Sequence, residues 1–467
     1  MRIAGNDTRI GLWAWRGQLA ALTLTVLIAA ASAPDAAAMA QFSRLYKTSC
    51  ATCHMVVPHL NSFGESFRRL GYHFPGDKDD EMRKVEGVEM GSEGVKQAYP
   101  QAIWPARIPG EVPVGFSVGH IFRYQRSVPG ISPKPGQNLT FGLVGDFAEM
   151  QLAGTLDENY TFMGQYVLGT SGVSVLRSQF SVYDVFGADS GLNLKVGRFE
   201  PGVMEVSNFT RLTETGFLVL NPKLDQDKIV GDNTFSLELS QQGAELFGFL
   251  GDGGDTAYNL GVVEGRFAAP NAANNHKDVY LHVNHKFIGD GGLGYHMDGT
   301  PATTQPVKMK PGRNVWGDAE SATVGGFVYS GATTLDAATR QLDDFRILGG
   351  DAVYVRDRLK LHGVYTVRQH DLPDLGKTFD RSANIWSAEA DWAWFPWLVT
   401  AVRYETFDQD ERAGDVTTRD FRRIVHALQY VPRANINVTL GMDVVDRSYE
   451  TGGFDLDNVT LAFFIGF

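Results

Sequence analysis

From Val114 to its end the chain repeats one pattern, segments of about ten residues in which apolar side chains alternate with polar or small ones. Tyr160, Phe162, Tyr166 and Leu168 share one face, against Asn159, Thr161 and Gln165. Leu192, Leu194 and Val196 oppose Asn193, Lys195 and Gly197, and Val279, Leu281, Val283 and Phe287 oppose His282, Asn284 and Lys286. Near the end, Ile436, Val438, Leu440, Met442 and Val444 oppose Asn435, Asn437, Thr439, Gly441 and Asp443. A period of two is the strand period, because successive side chains of a strand point to opposite sides. The chain is therefore mainly β, and its 52 glycines and 29 phenylalanines suit a large strand-rich fold.

Two architectures share this pattern: a soluble sandwich and a membrane barrel with its apolar face turned to lipid. Three features favour the barrel. The polar face regularly carries bulky and charged groups, as a water-filled lumen allows. Trp392, Trp394, Phe395 and Trp397 gather around Pro396, as an interfacial girdle requires. The last segment alternates Val459, Leu461, Phe463, Ile465 and Phe467 and ends on the phenylalanine, which resembles the terminal strand of bacterial outer-membrane barrels.

The pattern predicts an antiparallel outer-membrane β-barrel over residues 114–467 with about 16 strands, an even number as such barrels have. Lipid of a Gram-negative outer membrane is then its surroundings. Pro201–Asp232, Ala268–Asp278 and Asp290–Gly317 read as extracellular or lumen-folded loops, while Asp357, Pro396 and Pro432-Arg433 mark short connections. Arg198 and Glu200 stand at a strand end, where either a constricting loop begins or an ion pair closes the strand. His282 and His285, an odd number of residues apart, point to opposite faces and are read with His276 and His296 as lumen or interface residues rather than one metal site.

The N-terminus is different. Arg2, Arg9 and Arg16 precede an apolar run from Leu19 to Ala30 and an Ala38-Met39-Ala40 pattern. That order predicts a signal peptide over residues 1–40, since a run of about a dozen residues is short of the ~20 a spanning helix needs. No later apolar stretch is long enough for a membrane helix. The net charge of -12 argues against a nucleic-acid partner.

The chain has 2 cysteines, and they fall in Cys50-Ala51-Thr52-Cys53-His54. This is the attachment pattern of haem c. Two thiols separated by two residues reach the two vinyl groups on one porphyrin edge and form thioethers, and the next residue, His54, falls beneath the iron as an axial ligand. A thioredoxin-like pair would instead open a helix after a buried strand. The pair here follows Phe42-Ser43-Arg44-Leu45-Tyr46-Lys47, a short amphipathic segment.

Met55 and His59 follow His54 too closely to cross the ring plane, whereas His73, Met82 and Met90 can return over the other side. Of these, His73 is the preferred distal ligand; a vacant position would permit ligand chemistry. Leu60, Phe63, Phe67 and Leu70 have helical spacing and predict a helix over the ring edge that stops at Gly71. Asp77, Asp79, Asp80 and Glu81 read as a solvated turn. The domains are then a small helical haem domain at 41–99, a proline-rich linker at 100–113 and the barrel.

A haem motif directly after a signal peptide, fused to a barrel, resembles the outer-membrane monohaem cytochrome-porin fusion family of iron-oxidising bacteria. The residues carrying the resemblance are Cys50, Cys53 and His54, followed by Pro58, Leu60-Asn61, Phe63-Gly64, Phe67 and Gly71-Tyr72. It implies that the haem domain plugs or caps the barrel and passes electrons from extracellular Fe(II) to a periplasmic cytochrome or other carrier. Two other functions remain open: a transport porin with a haem-containing plug or sensor, and a haem reductase with an open sixth position.

Overall fold

The computed structural model describes residues 41–466 except 74–83, 106, 127–137, 142–146, 158, 170–171, 188–189, 223–232, 234, 238–239, 252–253, 266–275, 290–319, 337–340, 377, 411–419 and 448–452. The signal-peptide segment, Met82, Asp77, Asp79, Asp80, Glu81, His296 and Phe467 lie outside the described residues.

Seventeen antiparallel strands, from Val114–Gln125 to Asp455–Gly466, form a closed barrel in which the last strand pairs with the first. Leu139–Phe141 and Phe147–Leu156 lie end to end along one partner, with Phe122 opposite Phe141 and Gly119 opposite Phe147. Sixteen strand positions therefore circle the barrel, the number the alternation predicts. Closure matters because lipid offers no partner for an open strand edge. Among the described residues no helix is long and apolar enough to cross a membrane.

The faces settle the choice between sandwich and barrel. Val279, Leu281, Val283 and Phe287 are 40% to 67% exposed, while His282 and Asn284 between them are buried. Likewise Leu440 and Met442 are exposed and Asn437, Thr439 and Asp443 are buried. Apolar outside and polar inside is the order of an outer-membrane barrel. Trp392 and Trp394 stand outward beside the two-residue turn Pro396-Trp397, where the Phe395 and Trp397 rings stack at 4.8 Å. Asp357-Arg358 is another two-residue turn, with Asp357 at φ 52°. The third short connection falls two residues later than expected, at Ala434-Asn435, because the strand continues through Arg433. Its register slips between Tyr430 and Arg433, which accommodates a proline that has no ladder hydrogen to give.

The lumen is not empty. After the strand Asn193–Phe199 the chain turns inward at Pro201, and Val203, Val206, Phe217 to Leu220, Phe235 and Leu237 pack on the inward side chains Tyr329, Phe345, Ile347, Ile385 and Phe407. Charged wall residues hold this loop by its backbone: Arg403 donates to the Thr215 carbonyl at 2.6 Å and Arg368 to that of Val219 at 2.9 Å, while Glu405 accepts from the Leu218 amide at 2.7 Å. Arg198 donates to the Val175 carbonyl, and Glu200 accepts from the Ser207 hydroxyl at the start of this inner loop.

Residues 41–73 form the second filling. They comprise helices Gln41–Tyr46 and Ser62–Arg69, a 3₁₀ turn Cys50–Thr52, and a two-strand ladder of His54–Val56 with His59–Leu60. The ladder was not expected from the sequence, which suggested a helical domain. Leu60 belongs to it, and the helix begins only after Asn61. The segment touches the wall at strands about a quarter-turn apart: Asn437 donates to the Val57 carbonyl at 2.6 Å, and the Tyr72 hydroxyl meets the Met163 sulfur at 3.2 Å. Met55 and Val56 pack on Val355, Ala393, Val399, Ala401 and Ala427. Small inward alanines leave the room that this plug fills. Val355, Ala393 and Val399 adjoin the two-residue turns, so the motif lies toward the short-turn end of the barrel. Ahead of the proline-rich linker a short helix, Glu93–Ala98, forms with no buried residue, and Val88 pairs with Ile108 in the linker.

Candidate haem-attachment site

Asn61 organises the motif. Its side chain caps the helix Ser62–Arg69 by accepting from the Gly64 amide at 2.9 Å and donates to the Thr52 carbonyl at 3.1 Å, while its own amide bonds the Cys53 carbonyl at 3.0 Å. One residue thus ties the helix to the loop between the cysteines. The helix ends where the sequence indicates, with Gly71 at φ +72° and the Tyr72 amide bonding back to the Phe67 carbonyl at 2.8 Å.

Cys50, Cys53 and His54 line one cavity of about 740 Å³ together with Phe42, Tyr46, Phe67 and Tyr72. That volume lies in the range of cofactor pockets, ~300–1,000 Å³. Phe42 stacks on Tyr72 at 4.8 Å and meets Phe67 edge-on at 5.2 Å. Of the predicted stripe residues, Leu60 and Phe67 line the cavity, Phe63 stacks on Phe67, and Leu70 packs against Tyr183, Phe247, Phe249 and Ala257.

The donor set fits a covalently held haem. The His54 Nδ1 lies 3.2 Å from the Pro58 carbonyl, so Nδ1 carries the hydrogen and the lone pair is on Nε2, the usual arrangement of an imidazole that ligates a metal. Burial lowers the His54 pKa and keeps the ring neutral. Burial, with Cys50 beside it, pushes the free Cys53 thiol up to about 12. A redox-active Cys-x-x-Cys pair needs the reverse, a stabilised thiolate. At the cavity edge, burial would raise Glu65, but Arg68 and Arg69 outweigh it and hold that carboxyl at about 2.

The candidates for a second axial ligand lie apart from the cysteines. His73 follows the helix stop half-buried and does not line the cavity, and Met90 is exposed. Met163 and Met204 do line it, along with His282, which is held by Asp351 at 3.2 Å. These residues sit on the strand Tyr160–Gly169, the inner loop and the strand Asp278–Ile288. No local spacing relates them to Cys50, so only the fold could reveal them.

No protein-family profile matches the chain, and no curated protein matches it. Among solved structures, an anion-selective porin from Comamonas acidovorans is 12% identical over 76% of this chain and 98% of its own, with a TM-score of 0.49. Salmonella typhi OmpF, solved with daunomycin, is 12% identical over 76% and 97%, also at 0.49. A loop-deletion form of OmpT from Vibrio cholerae is 11% identical over 76% and 98%, at 0.48.

Proposed function

We propose that this porin-like outer-membrane barrel carries one covalent haem c in its lumen and moves electrons across the outer membrane. The observation that carries the proposal is the convergence of Cys50, Cys53 and the Nε2-free His54 on one cavity inside a closed barrel. Cys50 and Cys53 would hold the porphyrin edge through their sulfurs, and His54 would ligate the iron. When bound, the group supplies a one-electron Fe(III)/Fe(II) couple. The chain's own residues do the rest: Phe42, Phe67 and Tyr72 would offer apolar surface to the ring, and Arg68 and Arg177 bring positive charge to the cavity lining. The short-turn end of such barrels is periplasmic, and a haem at that end would be within reach of a periplasmic carrier. Extracellular Fe(II) as the donor follows from the family resemblance.

The test is haem staining of the full chain after denaturation, then potentiometric titration and mixing with Fe(II). Stain retained by the wild type and lost from Cys50→Ala/Cys53→Ala supports attachment; a wild type without covalent haem defeats the proposal. Fe(II) that fails to reduce the haem at any pH removes the iron donor alone.

A second reading, a solute porin whose plug is regulatory, is favoured by the barrel itself and its polar inward face. The packed lumen loop and plug oppose free solute passage. Solute flux through reconstituted vesicles without redox partners would support this second reading.

A further inference from the structure

Away from the cysteines, the plug and the wall meet at a second cluster. His59, on the plug, and His362 and Asp391, on the wall strands Leu359–His370 and Arg381–Phe395, each offer a ligand atom, and the three atoms lie within 4.8 Å of one another. All three residues are largely removed from solvent, His59 at 5%, His362 at 8% and Asp391 at 0% exposure.

We propose that His59, His362 and Asp391 form a binding site for one divalent transition-metal ion of the zinc class, clasping the plug to the barrel wall. The ligand types suit such an ion, since imidazole and carboxylate bind it at ~2.0–2.2 Å and tetrahedral ligands around it lie roughly 3.4 Å apart. Modest side-chain rotation closes the observed spacing. Three protein ligands leave a fourth position for water.

Two further observations point to a ligand. The His59 Nδ1 lies 2.7 Å from the Thr210 carbonyl, which fixes the hydrogen there and turns the Nε2 lone pair into the cluster. An outer partner of this kind is the common companion of a metal-bound histidine. His362 Nδ1 and Asp391 Oδ1 are buried with no hydrogen-bond partner, while His362 Nε2 and Asp391 Oδ2 are 3.2 Å apart. A pair of buried polar atoms left over at one place is costly unless something binds there.

A lysine side chain reaches the same cluster. Lys360 Nζ lies 2.8 Å from His59 Nε2, and Lys360 is the register partner of Asp391, as His362 is of Glu389. The ammonium engages the His59 Nε2 lone pair that a dication would take, so metal and lysine compete for that atom. An adjoining cavity of about 120 Å³, lined by Glu65, Glu205 and Glu389 among others, can receive the displaced side chain. The site does not depend on haem attachment, and its readouts are separate from the haem spectrum.

The test uses the purified full chain stripped of exchangeable metal and titrated with Co(II), whose visible ligand-field bands report imidazole ligation, followed by Zn(II) competition. One Co(II) per chain should bind and be displaced by Zn(II). His362→Ala and Asp391→Asn should weaken binding by about a hundredfold or more, beyond the ~10–100-fold that outer partners contribute. Lys360→Met should strengthen it, a gain that an unfolded variant cannot produce, and the heat-dependent gel shift of a folded barrel monitors each sample. Failure of both wild type and Lys360→Met to bind Co(II) or Zn(II), or binding undiminished by His362→Ala and Asp391→Asn, would overturn the site.

Discussion

Gly64 stands against the backbone of Cys53 so closely that a methyl group on its α-carbon would lie 2.0 Å from the Cys53 carbonyl oxygen. The helix Ser62–Arg69 can rest on the motif only because that position has no side chain. Gly64→Ala must therefore push helix and loop apart, at the ~1–3 kcal/mol typical of overpacking. The expected result is a lower ratio of haem absorbance to protein with the barrel's gel shift unchanged.

Asn61 bonds Thr52 and Cys53 of the motif as well as the Gly64 amide of the helix. Asn61→Ala removes a helix cap worth ~1 kcal/mol and also frees the Thr52 carbonyl. Asn61→Asp retains the cap acceptor and loses the donor. Amide exchange in residues 61–70 should be fastest in the alanine variant and intermediate in the aspartate variant; equal rates in all three proteins would remove Asn61 from this role.

Acid should loosen the plug through Glu65. Arg68, 2.7 Å away, and Arg69 hold the folded carboxyl at about 2, below its value in an unfolded chain. A depressed pKa contributes stability that is complete above roughly pH 4.3 and disappears as pH falls toward the folded value. Wild type should thus lose protease resistance in the plug between about pH 4 and 2 more steeply than Glu65→Gln. Matching profiles would contradict the assignment.

Lipid should surround the outward face. Leu281 is 40% exposed and stands between buried His282 and inward Tyr280. Leu281→Arg should cost up to ~2–4 kcal/mol of folded-barrel stability in vesicles, the cost of a cation near the bilayer midplane. Leu281→Phe should cost little. Urea titration of the two variants in the same lipid separates them.

Legibility followed the length scale of the forces. The alternation of Val279 to Phe287 and of Asn435 to Val444 is written in adjacent residues, so strand faces and strand number could be read directly. The Cys50, Cys53 and His54 motif is equally local. The plug's ladder was missed because its short strands, His54–Val56 and His59–Leu60, are too brief to show any period. Met163, Met204 and the trio of His59, His362 and Asp391 were missed for another reason: strand pairing and the infolding of plug and inner loop bring wall and lumen residues into contact, and spacing along the chain carries no trace of it. The turn at Ala434-Asn435 was displaced by a local bulge that absorbs Pro432.

The seam between the first and last strands, where Phe122 faces Leu461 and His120 faces Phe463, has a temporal meaning. Its two halves come from opposite ends of the barrel sequence, so it zips only when the final segment has been delivered. The plug precedes them all. If a haem is joined to Cys50 and Cys53 as proposed, it would lie inside the ring that this seam closes, and its attachment would have to precede closure.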